Sequence, residues 1–196
     1  MKKNIMRGKK RKKDIYNDSW MYILLLITLV ILTESLKTYT FNVGNADLTY
    51  SVFLLPIIYF LTNYITRKYD YRKGVAAICL SAVSMVLFIG LMNITFQKNF
   101  TLISIVGEFC GYVVSQFVNL TLYYFVIKNT TSPYLLLFTN YIFSLVVFYM
   151  VYTFMALQLL VIESYWIGYF ITLTIQIMIC LVLSLIDFLE QKGREN

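Results

Sequence analysis

Residues 75–95 read VAAICLSAVSMVLFIGLMNIT, and no charged side chain interrupts this stretch. About 20 consecutive apolar residues are enough for one α-helix to cross the hydrocarbon core of a bilayer. A transmembrane strand would instead alternate apolar and polar residues over segments of roughly 10 positions. The unbroken apolar run therefore predicts a membrane-spanning helix rather than a strand.

Five further segments have a similar length and apolar character: 20–39, 48–66, 102–127, 134–157 and 160–189. The composition agrees, since 59% of the 196 residues are hydrophobic and only 14% are charged. A soluble domain of this size cannot bury so much apolar surface, whereas a bilayer accepts it. We therefore predict an all-α integral membrane protein: a six-transmembrane-helix bundle over 20–189, with a basic tail at 1–19 and a short tail at 190–196.

The positive charges are distributed very unevenly between the two sides of this predicted bundle. Of the 17 lysines and arginines, only Lys37 and Lys98 fall on the side opposite the N-terminus. Because cationic loops resist translocation, we predict that both termini are cytoplasmic, in a multi-pass protein of the cell (inner) membrane. The basic tail directly precedes a membrane helix, so we expect it to meet anionic lipid headgroups rather than nucleic acid.

Residue types that carry catalysis are scarce. The chain has no histidine, and its three cysteines lie inside apolar runs without a Cys-x-x-Cys pair. This pattern excludes the ordinary zinc, haem and Cys/His catalytic arrangements. The sequence also lacks a Gly-x-x-x-x-Gly-Lys-Ser/Thr phosphate loop. We therefore expect neither an enzyme nor a cofactor or metal, and any ATP would have to be used by a partner.

The segment 102–127 carries the most informative polar residues. On a helical wheel at about 100° per residue, one half collects Gly107, Glu108, Gly111, Ser115, Gln116 and Asn119. The opposite half is apolar and includes Leu120, so we predict that it faces lipid. The Gly107-x-x-x-Gly111-x-x-x-Ser115 spacing lets a neighbouring helix approach closely, which predicts that these three residues pack helices together.

Glu108, Gln116 and Asn119 admit two interpretations. Amides inside a bilayer often serve only to bond helices to one another. A carboxylate at such a position marks a water-filled path, a proton site or a site for a cationic ligand. Both interpretations stay open for these three residues.

The remaining charges inside or beside the predicted helices have simpler interpretations. Lys37 lies three residues after Glu34, a spacing that favours a local ion pair. Lys37 would also be a partner for Glu108 if the first and fourth helices pack together. Asp187 and Glu163 lie near predicted helix ends, where solvation is easy, so we assign them no function.

A short pattern recurs in the fourth and fifth predicted helices. The run 115–119, SQFVN, resembles the run 139–144, TNYIFS, because each places a hydroxyl residue before an amide, an aromatic and an aliphatic residue. Paired polar positions in neighbouring helices are what a binding site at the middle of a membrane requires. The pattern predicts that Gln116 and Asn140 bind the hydrogen-bonding edge of a ligand.

The segment 55–73, LPIIYFLTNYITRKYDYRK, resembles the second-helix signature of the queuosine-precursor (vitamin uptake) transporter family. That signature combines a proline, Thr-Asp, a polar turn, an aromatic-Gly step and a basic loop. The run 115–119 is similar to the family's Ser/Gly-Gln-x-x-Asp, and the run 139–144 is similar to its Gly/Ser-Asn/Gln-x-x-Asp-Thr/Ser. Length, six spans and cytoplasmic termini match as well, so the resemblance extends over nearly the whole chain.

This resemblance implies an importer of a small heterocyclic solute such as a 7-deazapurine, working by alternating access without covalent chemistry. It implies substrate-binding residues in three helices, namely Asn63, Glu108, Gln116, Asn119 and Asn140. The sequence departs from the family pattern at Asn63, Asn119 and Phe143, where the family has aspartate. A cationic aminomethyl-deazapurine would therefore not be bound as it is in the family, and we hypothesise that Glu108 substitutes for one of the missing acids.

Two other functions fit the same sequence. Substrate-binding subunits of energy-coupling-factor vitamin importers also have about this size and six spans, and they use an ATPase module as their partner. A non-transporting membrane scaffold would need only the small-residue face, the basic tail and amides that bond helices. The expected partners are the lipid bilayer and a small-molecule substrate, with a homodimer or an ATPase module as alternatives.

Overall fold

The computed structural model describes residues 2–44, 46–96, 102–127, 134–155 and 164–195. Within these ranges the chain forms six α-helices and one β-hairpin. The elements in chain order are α1 (Lys2–Leu36), β1 (Thr40–Val43), β2 (Ala46–Thr49), a 3₁₀ turn (Tyr50–Phe53), α2 (Leu54–Lys68), α3 (Tyr71–Phe96), α4 (Leu102–Leu122) continued by a π-helical turn (Tyr123–Ile127), α5 (Tyr134–Met155) and α6 (Ser164–Glu195).

Five of these helices contain stretches long and apolar enough to cross a membrane: Asp18–Leu36, Tyr71–Ile94, Ile105–Phe125, Tyr134–Met155 and Gly168–Glu190. The bundle is apolar on the outside, where Ile94 is 81% exposed and Phe154 is 72% exposed. Its interior holds fully buried amides such as Asn63 and Asn119. This distribution is the reverse of that in a soluble protein. The prediction of a helical multi-pass membrane protein is therefore confirmed.

Helix α2 is shorter than the other five. Its 15 residues rise about 22 Å, which is less than the roughly 30 Å of a hydrocarbon core. The 3₁₀ turn immediately before it adds four residues at about 2 Å each. Only with that turn does the continuous helical stretch 50–68 reach the thickness of a membrane, so a sixth crossing stays a prediction.

The predicted end of the segment 20–39 and the predicted start of the segment 48–66 are wrong. Helix α1 ends at Leu36, before the predicted limit, and α2 starts at Leu54. The residues between them form an antiparallel β-hairpin in which Val43 pairs with Ala46. This pairing leaves a two-residue turn, and Gly44 adopts the positive φ of 62° that such a turn requires.

Strand β2 of the hairpin alternates in burial, and the two strands carry the β-branched residues Thr40, Val43 and Thr49. Ala46 and Leu48 are buried, whereas Asp47 between them is exposed. The buried pair lies against α6 at Gly168, where even an added Cβ atom would meet Ala46 and Leu48 at ordinary van der Waals distances of 3.8 and 3.9 Å. Period-two alternation with one buried face is typical of a strand, and average hydropathy does not detect it.

Both predicted tails are helical within the described residues. Helix α1 begins at Lys2, so the basic segment is continuous with the first apolar stretch. Helix α6 runs to Glu195, beyond the predicted end of the last span.

Helices α4 and α5 approach each other most closely at the glycines of α4. A Cβ atom added to Gly111 would lie 3.1 Å from the carbonyl oxygen of Phe148, and one added to Gly107 would lie 3.2 Å from Cβ of Met155. Ser115, the next small residue of the pattern, is fully buried. The small-residue side of α4 therefore lies against the backbone of α5, as small-xxx-small faces do in membranes.

The prediction that the polar half of α4 faces the interior is confirmed, but the apolar half faces lipid only in part, because Phe109 and Val113 pack against the core. Gly107, Gly111, Gln116 and Asn119 are buried. Leu120 was predicted to face lipid and does not, since it is fully buried. Its side chain lies close to Gly74 at the start of α3, where the absence of a Cβ atom makes room for it.

We expect Gly111→Val to destabilise the bundle, because the new side chain would collide with the carbonyl group of Phe148. Overpacking of this kind costs about 1–3 kcal/mol of unfolding free energy. Gly90→Val is the matched control, since a Cβ atom added to Gly90 in α3 meets no described atom within 4 Å. Thermal unfolding of the detergent-solubilised variants measures the difference, and equal stability of G111V and G90V would contradict the close packing of α4 on α5.

Candidate functional site

A cavity of about 620 Å³ lies at the end of the bundle that carries the β-hairpin. We call it the hairpin-end cavity. The last two turns of α1, the hairpin, the 3₁₀ turn and all five other helices contribute to its wall. The lining residues are Val30, Thr33, Glu34, Lys37, Ala46, Asp47, Leu48, Thr49, Ser51, Val52, Leu55, Ile58, Met85, Glu108, Tyr112, Phe148, Tyr149, Tyr152, Gly168, Tyr169, Thr172 and Gln176.

Three charged side chains meet in the wall of this cavity. Nζ of Lys37 lies 2.7 and 2.8 Å from the carboxylate oxygens of Glu34 and 2.6 Å from Oε2 of Glu108. Both pairings considered from the sequence are therefore confirmed, and they occur together. The three side chains are 8 to 24% exposed, so the group borders the cavity rather than bulk solvent.

All three charged residues lie near the ends of helices. Glu34 is in the last turn of α1, Lys37 is the first residue after it, and Glu108 is in the second turn of α4. Burial lowers the pKa of the Lys37 ammonium, but the carboxylates of Glu108 and Glu34 outweigh this effect and the net pKa is raised. The two carboxylates therefore favour the charged form of Lys37. Asp47 adds a third carboxylate to the wall, so acids outnumber bases there.

Aromatic rings form the part of the wall that comes from α5 and α6. The rings of Phe148 and Tyr152 are parallel with centroids 6.3 Å apart, and Tyr149 meets Tyr169 edge to face at 4.8 Å. Rings held by such contacts offer flat, rigid surfaces to a planar ligand. Tyr112 on the opposite side donates or accepts a 2.7 Å hydrogen bond with Ser81, which fixes its ring as well.

Gln176 connects three elements beneath the aromatic wall. Its Oε1 accepts a 2.7 Å hydrogen bond from the Tyr149 hydroxyl, and its Nε2 donates a 3.1 Å bond to the carbonyl oxygen of Val52. These bonds tie α5 and α6 to the 3₁₀ turn that follows the hairpin. The Gln176 amide therefore positions the wall of the cavity.

Three of the amides predicted to bind substrate form a cluster inside the bundle. Nδ2 of Asn119 donates to Oδ1 of Asn63 at 3.0 Å, and Nδ2 of Asn140 donates to Oδ1 of Asn119 at 2.8 Å. Asn63 returns a bond of 3.2 Å to Asn119. The three side chains come from α2, α4 and α5 and are at most 3% exposed, so they bond these helices to one another.

Gln116 has a different environment from the amide cluster. Its side chain is fully buried, yet neither Nε2 nor Oε1 has a hydrogen-bond partner among the described residues. It lies four residues after Tyr112, one helical turn beyond the cavity wall. Oδ1 of Asn140 also lacks a partner within the described part of the chain. Free buried amide groups are costly, which makes this level of the bundle a place where water or a ligand would be bound.

The structure thus separates the five predicted substrate-binding residues. Glu108 lines the hairpin-end cavity, Asn63, Asn119 and Asn140 bond to one another, and Gln116 lies between the two groups along α4. A role in substrate binding stays a prediction for all five. Phe143, where the family pattern has an acid, is 50% exposed on the outside of the bundle.

A second ionic cluster lies at the opposite end of the bundle, where α2 turns into α3. We call this the basic end. Arg67 pairs with Asp187, and its Nη2 lies 2.5 Å from Oε2 of Glu190. The Tyr141 hydroxyl donates a 3.2 Å bond to the second oxygen of Asp187. Aromatic rings surround the neighbouring cations, and Nζ of Lys68 lies 4.5 Å above the ring of Tyr22.

The expectation that Asp187 is solvated near a helix end is wrong. Its side chain is 1% exposed, and it is not at a helix end, since α6 continues for two further turns beyond it. A buried carboxylate requires a partner, and Arg67 supplies one. Glu163, given the same interpretation, lies outside the described residues.

Sequence reasoning missed two features of the cavity. The hairpin that carries Asp47 was assigned to a loop and a helix, although the Val43-Gly44-Asn45 sequence is a turn signal. None of the aromatic residues of α5 and α6 was predicted to line a site. Their convergence depends on tertiary packing, and no local pattern distinguishes them from the lipid-facing Phe154.

Comparisons of the chain with protein-family models, with curated proteins and with solved structures gave no match. The function is therefore inferred from the chemistry of the hairpin-end cavity, the basic end and the buried amides.

We expect Asn119→Ala to destabilise the protein, because it leaves the amides of Asn63 and Asn140 buried without their main partner. The loss should be about 1–2 kcal/mol of unfolding free energy. Asn42→Ala is the control, since Asn42 is exposed on the hairpin. Thermal unfolding in detergent measures both variants. An N119A protein as stable as N42A would show that the cluster does not hold α2, α4 and α5 together.

Proposed function

We propose that this protein is a membrane transport protein that binds a small heterocyclic solute in the hairpin-end cavity. The observation that carries this proposal is the cavity itself. Its 620 Å³ falls within the roughly 300–1,000 Å³ of small-molecule sites. Such sites are mostly apolar and aromatic with a few placed polar groups, and this wall has that composition.

The lining favours a planar solute that carries a positive charge. The rings of Phe148, Tyr152 and Tyr112 offer faces on which a heteroaromatic ring stacks. The carboxylates of Glu34, Asp47 and Glu108 outnumber the ammonium of Lys37, so the wall attracts cations. A carboxylate bordering a cavity in a membrane protein is expected at a substrate or ion path.

The polar residues of α4 support transport rather than binding alone. Glu108 and Tyr112 line the cavity, Gln116 follows one turn deeper, and Asn119 follows at the amide cluster. This series leads from the cavity toward the basic end along one side of the helix. A solute moving through the bundle by alternating access would meet hydrogen-bonding groups at each turn.

The resemblance to queuosine-precursor transporters agrees with this proposal. It implies a 7-deazapurine as the solute, and an aminomethyl-deazapurine has the planar ring and the cation that the cavity favours. The family's aspartates are absent at Asn63, Asn119 and Phe143, and Glu108 is the acid that would meet the cation in their place.

A substrate-binding subunit that works with an ATPase module is the second candidate. At the basic end, the Arg67–Asp187 pair holds α2 against α6, so opening of that end would require these helices to separate. A partner that uses ATP would supply the energy for this separation. Uptake by liposomes that contain the purified protein alone distinguishes a self-sufficient transporter from such a subunit.

A scaffold without a ligand is favoured only if no solute stabilises the protein.

We further propose six membrane crossings with both termini in the cytoplasm of the cell. The asymmetry of the basic residues supports this orientation. The aromatic and cationic residues that meet at the basic end, Lys68 with Tyr22 and Tyr64 among them, are of the types expected at a membrane interface. The hairpin then lies on the outer surface, and the cavity receives its solute from outside.

We expect aminomethyl-deazapurines to raise the melting temperature of the purified protein in a screen that also includes purines and vitamins. Glu108→Gln should weaken the response about tenfold in ligand concentration, because it removes one of the carboxylates facing the cation. Asp18→Asn is the control, since Asp18 is exposed near the opposite end. Unchanged binding and uptake by E108Q would exclude a charge role for Glu108.

The orientation is tested with single cysteines in a background that lacks Cys79, Cys110 and Cys180. Asn42→Cys on the hairpin should react with an impermeant thiol reagent added to intact cells. Arg72→Cys, at the exposed start of α3, should react only after the membrane is opened. The reverse result would place the hairpin in the cytoplasm and overturn the proposed topology.

A further inference from the structure

The ammonium group of Lys37 occupies a position in the hairpin-end cavity between carboxylates of two different helices. Its Nζ makes three short contacts, two with Glu34 and one with Glu108. An ammonium has three protons to donate, and three carboxylate oxygens receive them. These are the distances of charge-assisted hydrogen bonds. The site therefore already has the geometry of a cation-binding site, and a side chain of the protein fills it.

Lys37 is attached in a way that lets it leave this position. It is the first residue after α1, and β1 begins only at Thr40. Its side chain is 24% exposed, whereas that of Glu34 is 8% exposed. The lysine stem is flexible and its charge is a point charge that any ammonium reproduces. Rotation of this one side chain toward solvent would expose both carboxylates to the cavity.

We infer that Lys37 is an internal substitute for the cationic group of the solute, and that the carboxylates of Glu34 and Glu108 are the site that an ammonium or amidinium group of the solute takes over. This inference rests on the proposed function. Because one cation replaces another, the buried carboxylates stay compensated throughout the exchange. The aromatic ring attached to the cation would lie against the ring of Tyr112 or Phe148.

This arrangement makes Lys37 a specificity-determining residue. A cationic solute displaces the ammonium and gains the two carboxylates. A neutral solute of the same shape leaves Lys37 in place and gains neither. An anionic solute meets an ammonium whose charge is already neutralised by Glu34 and Glu108. It is also repelled by the excess of carboxylates in the wall, to which Asp47 contributes.

The exchange also links solute binding to the contact between α4 and the segment that precedes the hairpin. The contact between Lys37 and Glu108 ties the segment that joins α1 to the hairpin onto α4. A solute cation that takes over Glu108 breaks this tie. Entry of the solute therefore releases the segment that precedes the hairpin from α4, while the hairpin itself keeps its packing against α6.

Lys37→Met tests the inference with a matched pair of probes, benzylamine and benzyl alcohol. The two have the same ring and nearly the same size, and only the amine is charged at neutral pH. In K37M the amine no longer competes with an internal cation. The concentration of benzylamine that gives a half-maximal thermal shift should fall about tenfold relative to the natural protein, while that of benzyl alcohol stays within about twofold. Lys68→Met, which removes a lysine at the basic end, should respond to both probes as the natural protein does.

Lys37→Arg provides a second variant if K37M does not fold. A guanidinium binds carboxylates through a planar fork and is harder to displace, so K37R should need about tenfold more benzylamine. The double variant K37M/E108Q should lose the gain of K37M. Equal changes for the amine and the alcohol, or no response of any variant to benzylamine, would overturn the inference. These probes are not the proposed solute, so failure of deazapurine uptake alone would count against the proposed function and leave this result standing.

Discussion

In a bilayer no solvent is available to satisfy polar groups, and this constraint determines how the whole bundle is built. Each amide, hydroxyl or charge that the helices carry inward has to be paired inside the protein. The pairs of Asn63 with Asn119 and of Arg67 with Asp187 each join two helices that are distant in sequence. These polar pairs therefore help to fix which helices are neighbours, together with the buried apolar clusters, while the exposed apolar side chains face outward.

Helix α4 shows how packing and polarity are combined on one element. Its glycines let the backbone of α5 come close, and the same side of the helix carries the amide of Asn119 into the cluster. Close approach and hydrogen bonding support each other, because an amide reaches across only where the backbones are near. Gln116 is an exception, since its amide is buried on the same helix without a hydrogen-bond partner among the described residues. Such exceptions concentrate at functional positions.

The sequence was sufficient to predict the features that depend on composition and on helical period. The apolar segments, the buried polar side of α4 and the pairing of Lys37 with Glu34 all follow from composition or from spacing along one helix, whereas the contact of Lys37 with Glu108 depends on tertiary packing. The hairpin was missed because hydropathy averages over the alternation of Ala46, Asp47 and Leu48. The burial of Asp187 was missed because it depends on Arg67, more than a hundred residues earlier. Convergence of distant side chains on one cavity is a property of tertiary packing, which no local pattern contains.

The two ionic clusters have the same charge count but different cations, and this difference separates their roles. At the basic end two acids share Arg67, whose planar guanidinium binds in a fixed orientation and does not exchange readily. At the hairpin end two acids share Lys37, whose ammonium sits on a flexible stem beside a cavity. Under the proposed function, a fixed tie between α2 and α6 suits an end that stays closed while the solute enters. An exchangeable tie would suit the end that recognises the solute, because there a cation from outside could take the place of one that the protein supplies.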